Sequence, residues 1–130
     1  MEYAQAKLPN EIDLYKETTA LDMQLDEYIQ KFTPSRKRSL GEPMQAILVT
    51  LIKYCCLAWR IPEKRLYYLR QYEAEYTVLE YLIRKSHKPS VKQLSDKEYL
   101  ECAQIQAKIA KQLSCWIVKT RKGEDVEEDI

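Results

Sequence analysis

The sequence has 130 residues, 45% hydrophobic and 32% charged, so it can form one domain with a buried core, and wholesale disorder is excluded. Two glycines and five prolines leave little material for tight hairpins, which excludes an all-β sandwich or barrel. The net charge of +1 divides unevenly, at −4 over residues 1–34, +10 over 35–122 and −5 over 123–130. We therefore expect one all-α domain over residues 1–130, with a basic body between acidic ends.

The first helix is predicted over residues 10–32 by one apolar stripe. Its members recur at alternating steps of four and three residues: Leu14, Thr18, Leu21, Leu25, Tyr28 and Phe32. Each proline falls at a break in such a pattern, where helices start or stop: Pro9, Pro34, Pro43, Pro62 and Pro89.

The second helix is predicted over residues 39–60. Ser39 and Glu42 match a capping box, and Pro43 is tolerated in a first turn because amides there have no partner within the helix. Residues 46–59 are apolar on nearly every side, which predicts burial all round. In a domain of four helices, this also predicts contact with a neighbouring subunit.

The third and fourth helices are predicted over residues 62–86 and 95–120, the latter opened by a capping box from Ser95 to Glu98. Short links favour antiparallel neighbours, so the expected architecture is an up-down antiparallel four-helix bundle. The inward stripe of the third helix holds Leu69, Tyr72, Tyr76, Leu79 and Ile83, with Arg65, Arg70 and Arg84 off it. The inward stripe of the fourth holds Tyr99, Cys102, Gln106, Ile109, Leu113 and Trp116.

The opening MEYAQAKLPNEI lacks the charged-then-apolar pattern of a signal peptide. The longest apolar stretch, residues 46–59, contains Lys53 and is too short and too charged to cross a bilayer. We therefore expect a cytoplasmic protein with no membrane partner.

No pattern for catalysis or for cofactor binding is visible. Nucleophile-elbow, phosphate-loop and dinucleotide glycine patterns are absent, and His87 is the single histidine. Only two residues separate it from Arg84, whereas helical ribonucleases of the HEPN type use a spacing of four to six. Four cysteines show no C-x-x-C spacing, and the adjacent Cys55 and Cys56 are typical of small core hydrophobes. The expectation is a binding protein with no cofactor and no metal.

Three basic clusters are candidate contacts for nucleic-acid phosphates. The first lies just before the predicted start of the second helix, where free amides and the helix dipole favour anions. The second occupies the link before the fourth helix, and the third ends that helix. Their members are Arg36, Lys37 and Arg38 in the first, Arg84, Lys85, Lys88 and Lys92 in the second, and Lys119, Arg121 and Lys122 in the third.

Each cluster also has a purely structural interpretation. A basic body is compatible with an ordinary solvated helical surface. Cations near a helix C-terminus stabilise that end in any case, which applies most to the third cluster. Three tyrosines fall less clearly inward and suit either base stacking or a subunit interface: Tyr67, Tyr68 and Tyr81.

Three segments together resemble a known family. They are Pro34-Ser-Arg-Lys-Arg-Ser-Leu-Gly41, Leu79-Glu-Tyr-Leu-Ile-Arg84 followed by Lys88-Pro89, and the ending Leu113-Ser-Cys-Trp-Ile-Val-Lys-Thr-Arg-Lys-Gly123. Their order and spacing over about Tyr15 to Gly123 are similar to the accessory variability determinant proteins of diversity-generating retroelements.

The resemblance implies a four-helix bundle that assembles as a barrel-shaped homopentamer. It implies binding to the reverse transcriptase of the retroelement and to template RNA or cDNA, in support of mutagenic retrohoming, with no catalytic activity. By position, the cationic surface of the family would fall on Arg36, Lys37, Arg38, Arg84 and Lys85.

Two features depart from the family. Its members end in Leu-Gly-x-Trp, where this chain has Leu113-Ser-Cys-Trp116, and they are strongly basic overall, whereas this chain has acidic ends. Two alternatives stay open. One is a four-helix bundle of the type encoded by intervening sequences in bacterial large-subunit rRNA genes, and the other is a purely structural homo-oligomer.

Overall fold

The computed structural model describes residues 12–123, and every regular element within them is a helix. A short 3-10 turn, Pro62–Lys64, precedes the third helix. The prediction of an all-α fold with four helices is confirmed. In chain order the helices are α1 Asp13–Ile29, α2 Pro34–Arg60, α3 Arg65–His87 and α4 Asp96–Arg121.

Two predicted segments reach outside the described residues. Residues 10 and 11 of the predicted first helix lie there, and so does the acidic tail predicted at 123–130, apart from Gly123. Within the described residues α1 ends at Ile29 rather than at residue 32.

Helix α2 differs most from its prediction, because it begins at Pro34 instead of Ser39. The residues from Lys37 to Gly41 form a π turn, in which the backbone N–H of Glu42 donates to the carbonyl of Lys37. Pro43 has no N–H, and in a regular α-helix its ring would collide with the carbonyl four residues earlier. The wider π turn lets the helix continue through the proline. Ser39 is therefore an exposed residue inside the helix and not its cap.

In cross-section the four helices lie at the corners of a square. Each helix contacts the next one in the chain, and α4 contacts α1. Thr18, early in α1, lies 3.9 Å from the Sγ of Cys55, late in α2. Lys31, just after α1, pairs at 3.4 Å with Glu98, at the start of α4. Neighbouring helices are therefore antiparallel. The same reversed order relates Tyr54 to Tyr68 and Arg65 to Trp116.

The predicted stripes of α1 and α3 form the core of the bundle. All of their members are buried, and Leu21, Leu25, Leu69, Tyr72 and Leu79 are completely enclosed. Of the fourth stripe, Cys102, Ile109 and Leu113 are buried, whereas Tyr99, Gln106 and Trp116 are half-buried. The capping box of α4 is also present, since Ser95 accepts from the Glu98 N–H and Glu98 accepts from the Ser95 N–H.

A polar pair crosses the core between α1 and α3. The Thr18 hydroxyl donates to the Leu14 carbonyl at 2.6 Å, and the Tyr72 hydroxyl lies 2.7 Å from it, placed to donate in turn. Among the described residues, no buried side-chain nitrogen or oxygen lacks a partner. A satisfied polar pair of this kind favours one arrangement of the core over its alternatives.

The prediction that Arg65 lies off the inward stripe of its helix is wrong. Arg65 is 5% exposed, and its guanidinium donates to two carbonyls at the end of α2. Arg65 lies four positions before Leu69, so helical periodicity places both on the same face. The guanidinium donates hydrogen bonds at that position, which offsets the free-energy cost of burying a charged group.

Helix α2 is not enclosed by its own chain. Ala46 and Val49 are exposed on its outer face, Val49 by 67%, and Ile52 and Cys56 beside them are half-buried. The helix is long and apolar enough to cross a membrane by length and composition, with a mean hydropathy of 1.2. The core helix of a bundle has the same properties, and five residues of α2 lie in the core: Met44, Leu48, Leu51, Cys55 and Ala58.

Candidate nucleic-acid interface

The first two basic clusters lie at the same end of the bundle. The link after α1 and the link after α3 meet there, because the Thr33 N–H donates to the Gln93 side chain at 2.9 Å. We call this the link end, formed by residues 30–38 and 84–95. Sequence spacing alone leaves these clusters about 50 residues apart, and the fold brings them together.

The first cluster occupies the opening turns of α2 and not a loop before the helix. Lys37 and Arg38 are exposed, and Arg36 is half-buried. Positive side chains near a helix N-terminus oppose the helix dipole, so helix stability does not account for three of them. Their position is consistent with an anionic partner, whose charge the dipole would favour.

The second cluster combines cations with an exposed aromatic ring. The Arg84 guanidinium and the Lys85 ammonium lie 5.9 and 6.0 Å from the ring centre of Tyr81, which is 48% exposed. The spacings of three and four residues place all three groups on one helix face. This geometry offers a ring for stacking between two groups that attract phosphate. From the sequence, Tyr81 is one of three tyrosines that fall less clearly inward. Its spacing to Arg84 and Lys85 is the signal in the sequence that indicates a shared face.

Lys88 and Lys92 extend the second cluster along the link before α4. Both are exposed, and Lys92 has a left-handed backbone with φ of 52°. The link is held closed by backbone N–H groups of Gln93 and Leu94, which donate to the Ser86 carbonyl at 2.9 and 3.0 Å. The two lysines therefore project from an ordered link.

His87 is oriented by the start of α4. Its ring stacks on Tyr99 with 4.1 Å between ring centres, and its Nε2 lies 2.7 Å from an Asp96 oxygen. These contacts join the end of α3 to the first turn of α4. The geometry assigns His87 a structural role beside the second cluster.

The third cluster is separate from the other two. Lys119, Arg121 and Lys122 are exposed at the end of α4, which begins at the link end. With 26 residues, that helix is about 40 Å long at 1.5 Å per residue. The three predicted clusters therefore form two cationic surfaces, one at each end of the bundle. We call the end that carries the third cluster the turn end, formed by residues 53–68 and 116–122.

The thiols in the core are unreactive in this geometry. Burial raises the pKa of Cys55 and of Cys102 to about 12, so both stay protonated at neutral pH. Over residues 12–123, no three side chains of histidine, cysteine, aspartate or glutamate come together in a way that could hold a metal ion. The cations and rings at the two ends are the residues best placed for binding.

Compared with known proteins, the chain matches no family model, no curated protein and no solved structure.

Proposed function

We propose that the protein is a non-catalytic accessory subunit of a diversity-generating retroelement, acting in the cytoplasm. In this role it binds the reverse transcriptase and the template RNA or cDNA and supports mutagenic retrohoming. The observation that supports the nucleic-acid part is the link end, where two basic clusters distant in sequence lie at the same end of the bundle and Arg84 and Lys85 of the second lie beside Tyr81. The polymerase part follows from the family resemblance.

Binding at the link end is electrostatic in this proposal. Arginine and lysine side chains contact phosphates, which positions a strand without reading its sequence. Tyr81 adds a stacking surface for a base, and such stacking tolerates any sequence. This suits an accessory protein that has to hold a template while another subunit copies it.

Self-assembly into a homo-oligomer, with a pentamer as the expected form, completes the proposal. Its support is the apolar outer face of α2, defined by Ala46, Val49, Ile52 and Cys56, which the other three helices leave open. Burying that face between copies removes apolar surface from water. A ring of copies repeats the cationic surface, so weak phosphate contacts add through multivalency.

Replacing Arg36, Lys37 and Arg38 by glutamine is expected to weaken RNA binding roughly tenfold to a hundredfold at about 0.1 M salt. Each lost phosphate contact on a single strand reduces the slope of log K against log salt by about 0.7, so the slope should fall by about 2. Fluorescence anisotropy of a labelled single-stranded RNA at several salt concentrations measures both quantities. Circular dichroism checks that the helix content is unchanged.

The matched control removes three exposed lysines from other faces, in the variant Lys16→Gln, Lys108→Gln, Lys111→Gln. It has the same net charge as the first variant, so a general charge effect would weaken both equally. An unaltered salt slope in the link-end variant, or an equal loss in both variants, would contradict the assignment of the link end.

A further inference from the structure

The turn end carries a cluster of aromatic rings that spans α2 and α3. The rings of Tyr54 and Tyr68 stack at 6.4 Å with planes 25° apart. Tyr67 meets Tyr68 edge to face at 5.3 Å, with planes 71° apart. Three rings from two helices thus form a continuous surface.

This surface is open to solvent and not part of the core. Tyr67 is 58% exposed, and Tyr54 and Tyr68 are half-buried with one side against the core. An open groove of about 550 Å³ runs along it, lined by Glu63, Lys64, Tyr67 and Tyr68. Rings that already pack against one another lose little further conformational entropy when they bind a flat partner.

Cations lie beside these rings and at the same end of the bundle. The Lys53 ammonium lies 5.4 Å from the ring centre of Tyr54, and Lys64 lines the groove. Arg60 is exposed at the same turn, beside the ring of Trp59 at 5.7 Å. Glu63 adds one carboxylate, so these exposed residues carry three positive charges and one negative.

We propose that the turn end is a second binding site, which takes the bases of a single-stranded nucleic acid. Tyr67 and Tyr68 stack on bases, and Lys53, Lys64 and Arg60 contact the adjoining phosphates. Rings interleaved with cations are what a single strand recognises, because every base has a flat face and every nucleotide carries a charge. The excess of positive charge favours such a strand over a neutral or cationic peptide. The inference rests on the proposed function for its ligand class.

The test compares two ligands that differ only in their bases. One is a labelled single-stranded oligodeoxynucleotide of about 12 nucleotides, and the other is the same backbone with abasic residues. The chain is expected to bind the base-bearing strand roughly tenfold more tightly, which corresponds to one stacked base. Because Tyr81 offers a second stacking ring, near the link end, the Tyr67 variants are made in a Tyr81→Leu background. There Tyr67→Leu should lose most of that preference, and Tyr67→Phe, which keeps the ring, should retain it.

The link-end variant Arg36→Gln, Lys37→Gln, Arg38→Gln separates this inference from the proposed function. It should weaken binding to both strands equally and leave the preference for bases intact. Equal affinity of the unaltered chain for both strands would overturn base stacking at both ends of the bundle. A preference that survives Tyr67→Leu undiminished in the Tyr81→Leu background would overturn the turn-end site alone. Failure of the unaltered chain to bind either strand would overturn the nucleic-acid function as well.

Discussion

Replacing Arg65 by methionine is expected to lower the free energy of unfolding by about 3 kcal/mol. The Arg65 guanidinium donates to the carbonyls of Ala58 and Trp59 at 2.7 and 3.2 Å and lies 5.5 Å from the ring centre of Trp116. It therefore joins the end of α2, the start of α3 and the end of α4. Methionine fills similar space, but it leaves two carbonyls at the end of α2 without these donors.

Arg60→Met is the matched control. Arg60 also lies over a tryptophan ring, Trp59, but it is exposed and makes no hydrogen bond of this kind to the end of α2. Its replacement should change the free energy of unfolding by less than about 0.5 kcal/mol. Urea unfolding followed by circular dichroism measures both variants. Equal effects would show that burial and carbonyl capping by Arg65 do not stabilise the bundle.

Alkaline pH is expected to destabilise the protein, with a free energy of unfolding that changes little between neutral pH and about pH 9 and falls steeply from there towards pH 12. Burial raises the pKa of the Cys55 and Cys102 thiols to about 12. Burial and the hydrogen bond to Glu101 raise that of Tyr28 to about 12 as well. The native state therefore holds these protons more tightly than the unfolded chain does. Between about pH 9 and pH 12, the proton that each of these thiols keeps in the native state lowers the free energy of unfolding by up to about 1.4 kcal/mol per pH unit.

The variant Cys102→Ala separates titration from general alkaline damage. It should be less stable than the unaltered chain at pH 7, because a buried thiol has been removed, yet its stability should decline less steeply above pH 9. Urea unfolding at pH 7 and at several higher values, with a reductant present, measures the two slopes. Identical slopes would contradict the assignment of the decline to buried thiols.

The residues of the core are the part of the fold that the sequence predicts best. Stripes with steps of three and four, such as Leu69 to Ile83, follow from helical periodicity alone, and all members of that stripe are buried. The start of α2 was not predictable in this way. A proline after a capping-box pattern normally marks a helix start, and only the π turn before Pro43 lets the helix begin at Pro34.

The candidate sites depend on tertiary structure to a greater degree. The three basic clusters were visible in the sequence, but which of them meet depends on how the helices pack. The sequence predicts an exposed Arg65 because charged side chains are usually exposed. The carbonyl that accepts its hydrogen bond in the structure belongs to the preceding helix. Tyr67 and Tyr68 are candidates for base stacking from the sequence alone, but their cluster with Tyr54 is not predictable in that way, since Tyr54 and Tyr68 stack across two helices.

Light scattering measures the mass of the chain in solution, first by itself and then mixed with the reverse transcriptase encoded nearest to it. We expect a single assembly of about five chains that gains one polymerase. An assembly whose mass does not change when the polymerase is added would contradict the accessory role.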